Sequence, residues 1–193
     1  MIGTVNDDQG QILFDIITLH NNLLPFEVDL SWGNGGFWKN PRAPILPKIR
    51  MDLLPTGNLI ADVEFLPFKP RSLHSVVFDP PFIHAPGKDS IMGKRFSGYP
   101  SQKALMAMYR RAGSEIYDAL APGGLLVWKC QDIVESGKQV WNHCKIIDWC
   151  GYLGFELIDL FILTASNRPV GHNHGRQVHA RKHHSYFLCF RKK

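Results

Sequence analysis

The sequence predicts an α/β fold, with helices packed on both faces of a largely parallel sheet. Three observations carry this. Short β-branched and aromatic runs alternate along the chain with longer segments of helical periodicity, the pattern of strand–helix–strand units. Leu125 to Trp128 is continuously apolar, as in a strand covered on both faces. The two most unusual segments, Gly33–Gly36 and Asp79–Phe82, each follow a predicted strand, where ligands bind in such sheets.

The first element is a helix. Residues 9–24 carry apolar side chains at Ile12, Leu13, Ile16, Ile17, Leu19, Leu23 and Leu24, with Asn6 or Asp7 before them as a cap. Phe26 to Leu30 is a short strand, ended by the turn-rich Ser31-Trp32-Gly33-Asn34-Gly35-Gly36. Pro41, Pro44 and Pro47 forbid a long helix before the next strand, near Ile49. Leu59 to Phe65 reads as a further strand, and Ser75 to Phe78 as another. Ser101 caps a helix with Leu105, Met108, Tyr109, Ala112, Ile116 and Leu120 on one face. Pro122-Gly123-Gly124 breaks it before the apolar strand. Residues 137–150 read as a helix that Gly151 or Gly154 ends. Phe155 to Leu163 and Tyr186 to Phe190 close the chain as two strands around a basic connection.

The 193 residues suit one domain, 1–193, large enough to bury a core without staples. No apolar run approaches the roughly 18 residues of a membrane span, and the first residues lack the pattern of a signal peptide. Cys130, Cys144, Cys150 and Cys189 have no framework spacing, so a reduced, cytoplasmic protein is expected, with Cys144 and Cys150 as helix-face core residues. The net charge of +5 is unevenly spread. Residues 1–38 have five acids and no Lys or Arg, whereas residues 165–193 have seven Lys/Arg and no acid. A basic end points to a polyanion, nucleic acid first; a solubilising surface is the competing explanation.

Asp79-Pro80-Pro81-Phe82 carries the most chemistry. Two prolines after a strand fix φ twice and remove two N–H donors. The result is a stiff turn with a carboxylate, a free carbonyl and an aromatic ring. Those parts suit a planar group bearing an NH2: the two oxygens accept its hydrogens and the ring stacks on its face. A rigid loop with a buried Phe is the alternative.

This turn resembles the catalytic motif of the amino-methyltransferases, Asp/Asn/Ser-Pro-Pro-Tyr/Phe/Trp, which methylate exocyclic amines of adenine or cytosine. Three more segments, in the right order, are similar to that family. Glu27 to Trp38 resembles its acidic strand end and Gly-x-Gly turn. Ala61-Asp62-Val63-Glu64-Phe65-Leu66-Pro67-Phe68 looks like the acidic segment before the catalytic strand. Leu120-Ala121-Pro122-Gly123-Gly124 matches the Leu-x-Pro-Gly-Gly turn before the fifth strand. The resemblance implies a three-layer Rossmann-like methyltransferase fold, its mostly parallel seven-stranded sheet having the last strand antiparallel. It also implies S-adenosylmethionine as cofactor. Gly33 and Gly35 would admit its methionine portion, with Ser31 beside them and Asp29 facing its ammonium. Asp52 would hold its ribose hydroxyls and Asp62 would lie near its adenine; turn or cap roles are the alternative for these last two. Pro41 and Pro44 depart from the family by interrupting its usual helix after the glycine turn. No nucleophilic Cys motif of the cytosine-C5 enzymes is present.

The expected reaction is direct methyl transfer to adenine N6 in DNA, with Asp79, Pro80, Pro81 and Phe82 as the catalytic turn. Cytosine N4, adenine in RNA, a catalytically idle nucleic-acid-binding module and a glutamine-modifying protein methyltransferase stay open. Two basic segments, 83–111 and 165–185, are candidates for contacting nucleic acid, through Lys94, Arg95, Arg176, Arg181 and Lys182; a solvated surface is the alternative. The partner is thus DNA, or RNA, with no membrane, and the chain a monomer or homodimer. His172, His174, His179, His183 and His184 lack paired Cys spacing, and no metal is assigned to them.

Overall fold

The computed structural model describes residues 1–39, 46–83, 99–165 and 178–193. The elements are β1 (Val5–Asn6), α1 (Gln9–His20), β2 (Val28–Asp29), a 3₁₀ turn (Gly36–Trp38), β3 (Ile49–Asp52), β4 (Leu59–Ile60) and β5 (Leu73–Phe78). They continue with α2 (Gln102–Ala119), β6 (Leu120–Cys130), β7 (Ile133–Glu135), β8 (Lys138–Val140), α3 (Asn142–Leu153), β9 (Phe155–Thr164) and β10 (His184–Lys192). Eight strands form one sheet in the order β1-β9-β10-β6-β5-β2-β3-β4. All its pairings are parallel except those of β10, which runs antiparallel between β6 and β9. The expected last antiparallel strand is therefore present. The strand beyond the expected seven is β1, a two-residue edge piece pairing with β9.

Alternation along the strands builds a core on each face. Val76, Phe78, Leu126 and Trp128 pack against Leu105, Met108, Tyr109, Ala112 and Ile116 of α2 and Ile146 and Cys150 of α3. Val77, Leu125 and Val127, one residue out of phase, pack with Ile12, Leu13, Ile16 and Ile17 of α1. Each buried Val, Leu, Ile, Phe or Met side chain among them is worth roughly 1.5–3 kcal/mol. Ser101 caps α2 as expected, its Oγ accepting the Ala104 N–H at 3.2 Å.

Several elements differ from expectation. The cap of α1 is Asp8, whose Oδ1 accepts the Gln11 N–H at 3.1 Å. The helix stops at His20 because Asn22 and Leu23 take φ of 50° and 60°, which leaves Leu23 and Leu24 exposed beyond it; Leu19, in its last turn, is exposed as well. β4 ends at Ile60, since the Asp62 carboxylate accepts the Glu64 N–H at 2.9 Å and turns the chain there. Residues 137–141 are not helical. Ser136 and Gly137 both have positive φ, 48° and 73°, and form the tight turn of a hairpin pairing Glu135 with Lys138. The helix begins only at Asn142, and Gly154, at φ 103°, ends it. Cys150 is buried in the core, but Cys144 is exposed.

From β2 the chain moves outward to β3 and β4, then returns on the other side of β2 as β5. The carboxyl ends of β2 and β5 therefore flank the point where strand order reverses, the crevice where open α/β sheets bind ligands. Among the described residues, no helix is long and apolar enough to cross a membrane.

Candidate active site

One wall of the crevice grows from β2. The Leu30 N–H still donates to the Val77 carbonyl at 3.0 Å and the Trp32 N–H to the Met51 carbonyl of β3 at 2.9 Å, so the chain leaves the sheet only after Trp32. Asp29 is buried, and both of its oxygens are engaged. Oδ1 accepts the Ser31 N–H at 2.8 Å and Oδ2 the Trp38 indole N–H at 2.7 Å. Burial pushes this carboxyl up to about 6, against the pull of the Trp38 and Ser31 donors, and the nearby Asp79 charge adds to the rise.

The glycine turn is tight. Gly33 and Gly35 take φ of 55° and 67°, a region costly for other residues. A Cβ on Gly35 would lie 2.8 Å from the Trp32 ring, whereas one on Gly33 would meet nothing within 4 Å. Asp52 reaches this turn from the end of β3. Its Oδ2 accepts the Gly33 N–H at 2.7 Å and its Oδ1 the Leu54 N–H at 2.9 Å. The segment after the glycines is a single 3₁₀ turn that buries Phe37 and Trp38.

The other wall grows from β5. The Asp79 N–H donates to Ser31 Oγ at 2.6 Å, which ties the two strand ends together. Pro80 is buried, and the Tyr109 hydroxyl donates to the Pro81 carbonyl at 2.5 Å. Among the described residues, no hydrogen bond engages the Pro80 carbonyl. Burial pushes the Asp79 carboxyl up, and Lys129 pulls it down.

Lys129 has no counterpart in the sequence-based expectations. It stands at the end of β6, with Nζ 3.5 Å from Asp79 Oδ2 and 2.6 Å from Gln9 Oε1. Its signal was there: one lysine ending the run Leu125-Leu126-Val127-Trp128. Nearby, the buried Asp132 carboxylate bonds His143 Nδ1 at 2.8 Å, a pair equally unanticipated.

The structure thus gathers Asp29, Ser31, Gly33, Gly35, Asp52 and Asp79–Phe82 around the crevice, with Asp62 turning the chain after the next strand. Lys94, Arg95 and Arg176 lie outside the described residues. Arg181 is exposed, and Lys182 packs Nζ 4.3 Å from the centroid of the half-exposed Trp141 ring. The Lys182 carbonyl accepts from Gln131, just past the end of β6, so this basic segment enters over the same edge of the sheet. A separate cleft between α2 and α3, lined by Met106, Tyr109, Arg110, Trp128, Lys145, Ile146 and Trp149, opens on the helical flank.

No family model matches this chain, and no curated protein does. Solved structures do. A protein of Thermus thermophilus named as a DNA modification methylase, complexed with S-adenosyl-L-methionine, is 25% identical over 68% of this chain and 53% of its own, with a TM-score of 0.48. This chain spans about half the length of that protein. A SAM-dependent methyltransferase from Thermotoga maritima is 17% identical, covering 94% of this chain and 92% of its own at a TM-score of 0.52. The [4+2]-cyclase SpnF is 14% identical, covering 98% and 86% at 0.58. The last two establish the Rossmann-like methyltransferase fold. SpnF is named for a cyclisation, so the reaction has to be argued from the site and not from the fold.

Proposed function

We propose that this chain transfers a methyl group from S-adenosylmethionine to the exocyclic amine of a nucleic-acid base, adenine N6 in DNA first. The observation that carries the proposal is the Asp79-Pro80-Pro81-Phe82 turn at the carboxyl end of β5, bonded through Ser31 to the glycine turn of β2.

The residues around the crevice fit the cofactor. Gly33 faces open space, so an approaching methionine portion meets backbone and no side chain. Asp52 brings a carboxylate to the same turn, with lone pairs left for ribose hydroxyls. Asp62 follows at the neighbouring strand end, on the side assigned to the adenine. Asp29 acts at one remove: held by Trp38 and Ser31, it fixes the turn. When bound, the cofactor supplies a methyl group on a positively charged sulfur.

The rest falls to the chain. Tyr109 holds the Pro81 carbonyl and so keeps the turn in a shape that leaves the Pro80 carbonyl for the substrate. The Asp79 carboxylate and the Pro80 carbonyl accept the two amine hydrogens and draw the nitrogen toward tetrahedral geometry. Its lone pair then becomes the nucleophile. Phe82 stacks on the base, which leaves its helical stack at a cost of a few kcal/mol. Positioning is the main catalytic contribution, and no strong base is needed because the methylated nitrogen loses its proton late. Arg181, Lys182 and Trp141 offer phosphate and stacking contacts at the rim.

The test is labelled cofactor incubated with mixed DNA and RNA, followed by nucleoside analysis. Labelled N6-methyladenine from DNA is expected. Labelled N4-methylcytosine or an RNA product would keep the reaction and change the substrate. Saturable cofactor or nucleic-acid binding without any methylated nucleoside would reduce the chain to a binding module.

A further inference from the structure

Lys129 is a buried ammonium in a cage. The residue is 8% exposed, and the rings of Phe37, Phe82 and Phe187 surround Nζ at 5.1, 5.7 and 5.4 Å. Each ring face attracts a cation but cannot replace the lost water by itself. The polar partners are Gln9 Oε1 at 2.6 Å and Asp79 Oδ2 at 3.5 Å. Gln9 in turn donates from Nε2 to the Phe37 carbonyl at 2.7 Å, on the segment that follows the glycine turn. One side chain therefore touches the carboxylate, the ring proposed to stack on the base, and the link to the cofactor wall.

We propose that Lys129 is the positioning residue of this site: it keeps Asp79 ionised and aimed as an acceptor, and through Gln9 it ties that acceptor to the turn carrying Phe37. The proposal rests on Asp79 being the acceptor of the target amine. A protonated carboxyl turns one of its two oxygens into an O–H donor and accepts from the amine more weakly than a carboxylate. Burial favours that protonated form. The groups facing Asp79 from the packed elements are Asp29 on β2, Tyr109 on α2, and Cys130 and Lys129 on β6. Asp29, itself raised to about 6 in part by the Asp79 charge, supplies no positive charge. Tyr109 and Cys130 are kept neutral, burial raising both well above their ordinary values. Among the described residues, Lys129 is thus the one cation offsetting the burial of Asp79.

The experiment is a carboxyl ¹³C NMR titration of the free protein, with the Asp79 resonance assigned by loss in Asp79→Asn. Wild type, Lys129→Met and Lys129→Arg are compared. An opposite charge at this range lowers a carboxyl by roughly one to three units. Lys129→Met should therefore move the Asp79 midpoint up by about one unit or more, while Lys129→Arg stays near wild type. The acid limb of the kcat profile should move the same way, with cofactor affinity by calorimetry within a few-fold. Lys129→Gln, which keeps a polar group without the charge, replaces Lys129→Met if the latter fails to fold; it should behave likewise. An unmoved Asp79 midpoint in a folded charge-free variant overturns the proposal. So does a loss of cofactor affinity with the midpoint unmoved, which would assign Lys129 to the cofactor. Because the titration needs no turnover, a wild type without methyl transfer would sink the functional reading alone.

Discussion

Asp29 and Asp79 end neighbouring parallel strands, Asp29 buried and Asp79 partly so, and they are compensated differently. Asp29 receives two fixed donors, whereas Asp79 receives a cation. With Asp29 at about 6 in the fold against an ordinary 3.8, its protonated form is the one the fold prefers. Its contribution to stability is full below the ordinary value and is lost as pH rises through about 6. Trp38→Phe removes the donor that serves the ionised form. Urea unfolding should therefore show this variant losing about 1 kcal/mol more at pH 7 than at pH 4.5, a charge-assisted hydrogen bond being stronger than a neutral one. Equal losses at both pH values would mean that the indole only fills space. The proline pair made Asp79 legible in the sequence, because it dictates a stiff turn whatever surrounds it. The inward turn of Asp29 was not legible, since it depends on an indole that only the 3₁₀ turn brings back. Lys129 was hidden because a single charge at the end of an apolar run has no periodicity.

Elements with a local signature emerged as the sequence foretold. α2 has a serine cap and an apolar stripe, and both are used. The hairpin β7–β8 escaped notice because its turn, Ser136-Gly137, sits in a stretch whose apolar spacing also fits a helix; two positive φ angles decide it. β1 has two residues, too few for any period to register, whereas β4 keeps only the first two residues of the strand expected over Leu59 to Phe65. The glycine turn is the element on which cofactor binding depends. Gly35→Val would force a β-branched side chain into φ 67° and against the Trp32 ring, so calorimetry should find cofactor binding abolished. Asp52→Ala should weaken it by about 1.5–3 kcal/mol if the carboxylate holds the ribose hydroxyls. Unchanged affinity in both variants would put the pocket elsewhere, with the cleft between α2 and α3 next in line.

Across the whole molecule, alternation of elements announced the sheet and its two helical layers, but strand order comes from pairings between distant residues, such as Val28 with Val76, that no local pattern encodes. Charge asymmetry was visible from composition. Its meaning depends on Lys182, with the exposed Arg181 next to it in the chain, entering over the edge of the sheet at the end of β6. If both neutralise phosphates, replacing them with Ala should lower the log–log salt slope of duplex binding by up to about 1.8, at roughly 0.9 per phosphate, with cofactor affinity unchanged. An unchanged slope would assign them to a solvated surface and leave residues 83–111 as the docking candidate. Methyl transfer by this chain requires Asp79 to handle the target amine and not the cofactor. Labelled methyl transfer to DNA and calorimetric cofactor affinity, measured on the same preparations of wild type and Asp79→Ala, address this directly. The expected result is a wild type that labels adenine and a variant that labels nothing while its cofactor affinity stays within a few-fold. Near-normal turnover by Asp79→Ala would contradict it.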